Sequence, residues 1–251
     1  MCAQIYLKIK ANSLSKKFGV KIPEKLSSTE IDKMVHGYMK TELAPVIVYN
    51  EGKLHVKNMY FSLCPSWSKD FPCEWSTYNA RMERPQEDKK TKKIKTQYIY
   101  ETPTWREAFC KGQTCLVPIS GAIESSYFGT HAGNILRFSE KHGEVFYALG
   151  IWSEWVDKKS GEIKESFALL TDDPYDFYFK AGHDRSIIVI DDAHFEKWLC
   201  DTKLKPKERF DFIRKSRVNC DWKVDIERPM KVGWEKRAPT KAEIGKIAVW
   251  K

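Results

Sequence analysis

The sequence predicts a strand-rich fold, a single domain carrying a few short helices. Two observations point there. Short apolar segments, alternating or continuous, recur along most of the chain and are closed by Gly, Pro, Asn or Asp, while helical spacing is brief wherever it occurs. The 251 residues contain neither an internal repeat nor a clear linker, and they suffice to bury a real core, so residues 1–251 are read as one domain.

Taken in order, Ile5, Leu7 and Ile9 alternate with Tyr6, Lys8 and Lys10, which predicts a strand over 3–10. Such a strand would hold Cys2 at the edge of a sheet. Residues 12–40 are polar, and Ser27-Ser28-Thr29-Glu30 reads as a helix start before Ile31, Met34 and Val35. Strands are expected at 44–49 and 53–59 around an Asn50-Glu51-Gly52 turn. A loop rich in Pro, Ser and Trp follows at 64–70, then the densest charge of the chain at 76–106. Within it, Asp88-Lys89-Lys90-Thr91-Lys92-Lys93 reads as a solvated loop, with a nucleic-acid backbone contact as the alternative. Residues 104–109 suggest a short helix, and 115–119 a strand ending at Gly121, with Glu124 just beyond. Three more strands are expected at 135–138, 145–151 and 165–170, before a turn or helix start at Thr171-Asp172-Asp173-Pro174. The apolar run 187–190 precedes an Asp-capped amphipathic helix bearing Phe195, Trp198 and Leu199. Residues 201–251 form a basic C-terminal extension anchored by Trp222, Trp234 and Trp250.

Composition narrows the function. Lys and Arg outnumber Asp and Glu by 43 to 34, a net charge of +9, which favours a polyanionic partner, and nucleic acid is the commonest one. The seven cysteines are scattered without a Cys-x-x-Cys pair, which argues against a disulfide framework or a structural zinc site and for a reducing compartment. No apolar run approaches the ~18 residues needed to span a bilayer, and no secretory core is present. The expectation is a cytoplasmic (nucleoid-associated) or nuclear protein that is not secreted, with no membrane partner, no metal and no cofactor.

The chemistry starts at Met1-Cys2. Removal of Met1 would leave an α-amine with a pKa of about 7.7–8.0 two carbons from a thiol near about 8.5. Such a 1,2-aminothiol condenses with an aldehyde to an imine, and the sulfur then closes a thiazolidine, which no internal cysteine can do. Position alone would equally suit a tolerated small residue. Further along, Asn79 with Arg81, Glu124, and His183 with Arg185 recur as polar residues in or at the ends of apolar strands. Each has a plain structural reading as a cap, a surface charge or an ion-pair partner.

Together they resemble the SRAP domain (SOS-response-associated peptidase) family. The family opens Met-Cys-Gly-Arg, here Met1-Cys2-Ala3-Gln4; its Pro-Ser-Trp-x-Lys-Asp stretch is similar to Pro65 through Asp70. Its Asn-Ala-Arg-x-Glu motif stands intact as Asn79-Ala80-Arg81-Met82-Glu83. Its Phe-Arg-x-Ala-Phe…Cys-Leu-x-Pro stretch resembles Trp105-Arg106-Glu107-Ala108-Phe109 through Cys115-Leu116-Val117-Pro118. Gly-Phe-Tyr-Glu-Trp survives only as Gly121-Ala122-Ile123-Glu124-Ser125, and the late histidine motif is matched by Gly182-His183-Asp184-Arg185. The matches fall in the family's order within 1–200. Gln4 in place of arginine removes one expected phosphate contact, the residues around Glu124 are changed, and 88–103 looks like an insertion.

The resemblance implies an α+β fold, built on a curved, mostly antiparallel, barrel-like sheet with flanking helices and a basic DNA groove. It implies covalent capture of abasic sites in single-stranded DNA by a monomer working in the DNA damage response. Cys2 would supply both nucleophiles, Asn79 would orient the amine or sugar, Glu124 would act as general acid and base, and His183 would favour the opened sugar. Arg81, Arg106 and Arg185 would contact phosphates, and Trp67 would stack on a base. Two other readings stay open: an amidohydrolase or peptidase with an N-terminal cysteine nucleophile, and a non-catalytic single-stranded DNA-binding module.

Overall fold

The computed structural model describes residues 4–22, 30–88 and 90–250. Cys2 lies outside the described residues, as does the helix start expected at Ser27–Thr29. Twelve of the described strands build two sheets around a large apolar core, and a further two pair as a hairpin.

The first sheet runs β14 (Trp222–Pro229), β10 (Asn134–Glu140), β9 (Gly121–Ser125), β1 (Gln4–Lys10) and β2 (Glu30–His36), antiparallel throughout. The alternation that predicts β1 sends Ile5, Leu7 and Ile9 into the core, each almost fully buried. The region around 31–35 corrects the sequence reading. Ile31 and Val35 lie in β2, opposite Ile9 and Ile5 of β1, so their four-residue spacing places them on one strand face rather than one helix face. The intervening Asp32 and Lys33 are exposed at the sheet edge. The helix in this region is instead α1 (Ala11–Phe18), closed by Gly19 in the left-handed conformation. It escapes sequence reading because only Leu14 and Phe18 anchor it, Phe18 between Tyr147 and Phe195.

The second sheet closes on itself. β11 (Phe146–Val156) pairs β8 (Thr114–Ile119), β8 pairs β3 (Leu43–Asn50), β3 pairs β4 (Lys53–Phe61), β4 pairs β12 (Ile163–Asp172) in parallel, and β12 returns to β11. All six residues of β8 are buried, as a strand covered on both faces requires. Inside, Phe61 stacks on Phe167, and Trp198 reaches in from α4 (Phe195–Cys200) to donate its indole N–H to the Cys115 carbonyl at 3.0 Å. Two short strands, β5 (Asn79–Arg81) and β13 (Ser186–Ile187), attach to β12. The charged stretch forms a hairpin of β6 (Glu83–Glu87) and β7 (Ile94–Tyr98), and its tip is held by Asp88, whose carboxylate accepts from the backbone N–H groups of Lys90 and Thr91.

Three more helices, α2 (Pro103–Lys111), α3 (Asp176–Lys180) and α5 (Pro206–Ser216), pack on the outside, and a short α6 (Lys241–Ile244) lies near the end of the chain. The expected α+β class on barrel-like, mostly antiparallel sheet is what the pairing shows. No helix among the described residues is long and apolar enough to cross a membrane.

Candidate functional site

The site forms where β9, β5 and the turn before β13 converge. On β9 the alternation breaks: Ala122 and Ile123 are buried apolar residues, and Glu124 is buried beside them with its side chain only 2% exposed. A charge taken from water must be paired or change protonation. Its partner is His183, also buried, with Nε2 at 3.2 Å from Glu124 Oε2.

Hydrogen-bond direction fixes how this pair handles a proton. His183 Nδ1 lies 2.8 Å from the Ser125 carbonyl oxygen. A carbonyl only accepts, so Nδ1 carries hydrogen and donates. In the neutral ring Nε2 then presents its lone pair to the Glu124 carboxyl group, and a single proton serves both partners. Burial pushes the imidazole below its ordinary value, with the Glu124 charge pulling the other way. The pair can therefore give up and take back a proton inside an enclosed wall, which is what general acid–base chemistry needs.

The turn carrying His183 is clamped to the segment after β9. Tyr127 N–H donates to the Gly182 carbonyl at 2.9 Å, and the Ser126 hydroxyl donates to the Ala181 carbonyl at 2.8 Å. Gly182 has φ +96°, and a Cβ there would fall 1.9 Å from the Phe128 carbonyl oxygen. Only glycine permits so close an approach of the two backbones.

β5 supplies the second part. Ala80 and Met82 point into the core, so the same alternation turns Asn79, Arg81 and Glu83 the other way. Glu83 pairs with Arg214 at 3.0 Å and so braces α5. Both polar atoms of the Asn79 amide are buried without a hydrogen-bond partner among the described residues. The Nε atoms of Arg81 and Arg185 are likewise buried without an acceptor there. Arg81 lies 3.6 Å from Asp173, and Arg185 lies 3.7 Å from Asp184. Burial, then the neighbouring Arg185, lowers the Arg81 pKa, so two guanidiniums share one neighbourhood. Burial alone would raise the Asp184 carboxyl, but His183, Arg185 and Arg81 together hold it below the usual carboxylate range. Asp184 Oδ1 is 4.0 Å from His183 Nε2, which ties the arginines to the Glu124–His183 pair.

The first described strand also reaches this cluster. Gln4, the first described residue, stands opposite Ile123, one position from Glu124. A family model described as "SOS response associated peptidase (SRAP)" matches residues 1–224. The chain belongs to this family. Among solved structures, a protein from Bacteroides thetaiotaomicron is similar over 99% of this chain and 100% of its own, at 20% identity and a TM-score of 0.69. A protein from Bordetella bronchiseptica matches 90% of this chain and all of its own, at 16% identity and a TM-score of 0.65. A phage-related protein from the same organism covers 90% of this chain and 94% of its own, at 13% identity and a TM-score of 0.60. A search of curated proteins finds no match.

In this SRAP chain, then, Arg81, Glu124, His183 and Arg185 come together, and Asn79 lies two residues from Arg81 on β5. Neither Arg106 nor Trp67 makes a hydrogen bond or ion pair with these residues among the described contacts. Arg106 is exposed on α2, and its guanidinium makes no hydrogen bond or ion pair among the described residues. Trp67 is 52% exposed and stacks on Trp75, ring centroids 5.6 Å apart, on the Pro-Ser-Trp loop. Among the described residues no group of three or more His, Cys, Asp or Glu is placed to hold a metal ion. Sequence reasoning did not single out Gly182 or Asp184 as site residues. Both sit inside the Gly182–Arg185 motif, so that motif carried the only signal for them.

Proposed function

We propose that this SRAP chain captures abasic sites in single-stranded DNA as a thiazolidine on Cys2 once Met1 has been removed. The observation that carries the reading is the buried Glu124–His183 pair, able to move one proton, beside two arginines and an asparagine whose buried polar atoms lack acceptors or donors. The first described residue supports it: Gln4 pairs opposite Ile123, beside Glu124, and Cys2 precedes Gln4 by two positions in the sequence.

An abasic sugar is mostly a closed hemiacetal. His183 assists transfer of the hydroxyl proton to the ring oxygen, exposing the C1′ aldehyde. The Cys2 amine attacks C1′, and Glu124 relays the two protons of the nitrogen in turn to the former aldehyde oxygen, which leaves as water and gives the imine. The thiolate then adds to the imine carbon while the nitrogen takes a proton, closing the ring. Asn79 hydrogen-bonds the amine or the sugar, and Arg81 and Arg185 hold flanking phosphates, whose oxygens satisfy the unpartnered Nε donors. Bringing the sugar to the N-terminal amine favours a single strand over a stiff duplex.

The test is a denaturing gel. Purified protein is incubated with a uracil-containing oligonucleotide treated to leave an abasic site. A shifted band in the wild type that is absent in Cys2→Ala supports capture. Salt-dependent binding with no shifted band would sink the covalent reading and leave a binding module.

A further inference from the structure

Residues 230–250 lie beyond the stretch that the family model matches, and they close one side of the site. The segment is fastened at both ends. At its start, Met230 N–H donates to the Gly133 carbonyl at 2.8 Å, and the Trp234 ring packs directly on Gly133, where a Cβ would come within 3.1 Å of it. At its end, Trp250 N–H donates to the Pro174 carbonyl at 2.9 Å, and its ring meets Tyr175 edge-on and carries the Arg217 guanidinium at 4.8 Å. Between the anchors, α6 is closed by a reciprocal cap: Thr240 N–H donates to Glu243 Oε2 at 2.8 Å, and Glu243 N–H donates to Thr240 Oγ1. The segment is therefore a built strap rather than a loose tail.

The strap and the catalytic turn enclose a cleft of about 620 Å³, lined on one side by Tyr127, Asp184 and Arg185 and on the other by Lys236, Arg237 and Glu243. That volume is in the range of sites that hold a small ligand or one unit of a polymer. Its charge is unbalanced towards the positive, three cations against Asp184 and Glu243. The Glu243 carboxylate is engaged by the Thr240 cap, and Asp184 by Arg185. Lys236 and Arg237 are exposed and make no ion pair among the described residues, and Arg237 stands 5.9 Å over the Tyr127 ring. Cations without acids beside a buried guanidinium donor are the arrangement that receives an anion.

We propose that Lys236 and Arg237 of the strap join Arg185 to form a phosphate subsite for single-stranded DNA, lengthening the strand path beyond the reacting sugar. The occupant is a backbone phosphodiester, since the cleft opens one residue from His183 and a strand that delivers its sugar there must continue past Asp184. The inference rests on the proposed function and extends its DNA path.

Binding of a fluorescein-labelled dT oligonucleotide, measured by anisotropy across a salt series, tests it. Each cation that neutralises a single-strand phosphate contributes about 0.7 to the slope of log K against log salt. K236Q/R237Q should therefore lower the slope by about 1.4 and weaken binding at low salt. K158Q/K159Q, the same charge change on the exposed turn between β11 and β12, should leave the slope unchanged. Equal slopes for K236Q/R237Q and the wild type, or tighter binding by K236Q/R237Q, would overturn the subsite while leaving the proposed function standing. A wild type with no salt-dependent binding would overturn the proposed function, and the subsite with it.

Discussion

Gly182→Ala should damage both stability and capture, and the structure supplies the size of the effect. The position has φ +96°, outside the range an L-residue adopts easily, at a cost of about 1–2 kcal/mol. The new methyl would also meet the Phe128 carbonyl oxygen at 1.9 Å and the Ser126 hydroxyl at 2.3 Å. The first of these is backbone, so relief requires the two segments to part, which adds about 1–3 kcal/mol by the usual cost of overpacking. The sum, about 3 kcal/mol, corresponds to a fall in Tm of roughly 6–12 °C for a domain of this size. Parting the segments also breaks the Tyr127–Gly182 hydrogen bond and draws His183 away from Ser125 and Glu124. Gly52→Ala is the control: φ is +81° there, but nothing lies within 4 Å of the added Cβ, so only the conformational cost remains. Urea and thermal unfolding of both variants, with capture rates on an abasic oligonucleotide, measure the difference. A Gly182→Ala protein within about 0.5 kcal/mol of wild type and equally fast in capture would refute the clamp.

Three further outcomes follow from the same geometry. Glu124→Gln keeps the shape but cannot cycle a proton with His183, so single-turnover capture should slow by about 10²–10⁴-fold while oligonucleotide affinity stays near wild type. Arg81→Gln and Arg185→Gln should each reduce the salt slope of binding by about 0.7, and an unchanged slope would remove that arginine from the phosphate path. Burial lowers the His183 pKa, so below about 6.5 the unfolded state takes up a proton more readily than the folded one. Wild-type stability should then fall with pH from about 6.5 downward, by at most about 1.4 kcal/mol per pH unit from this group, and His183→Gln should lack that component in urea titrations at pH 7 and pH 5.

What the sequence disclosed depended on how far each feature reaches along the chain. β1, β3 and β4 are legible because alternation and the Asn50–Gly52 turn are local signals. β2 is not, because Ile31 and Val35 fit either period, and only their pairing with Ile9 and Ile5 decides between them. β9 reads merely as the end of a strand, since five residues interrupted by a glutamate give almost no pattern. The Glu124–His183 contact joins residues 59 positions apart (183 − 124), and no local rule connects them; resemblance to a family did so by the order of motifs. The strap was visible only as tryptophans in a basic tail. Its anchoring on Gly133 and Tyr175 depends on backbone approach and ring packing between distant segments, which composition does not carry.

The central claim is that capture joins the Cys2 amine and thiol to the sugar aldehyde, and an intact-mass measurement of the purified adduct tests it most directly. Wild-type protein and an abasic oligonucleotide, combined without borohydride, should give one species equal to protein minus Met1, plus oligonucleotide, minus one water, with the linkage on the N-terminal peptide after digestion. An adduct that retains Met1, that maps to an internal lysine, or that survives only after borohydride reduction would contradict it.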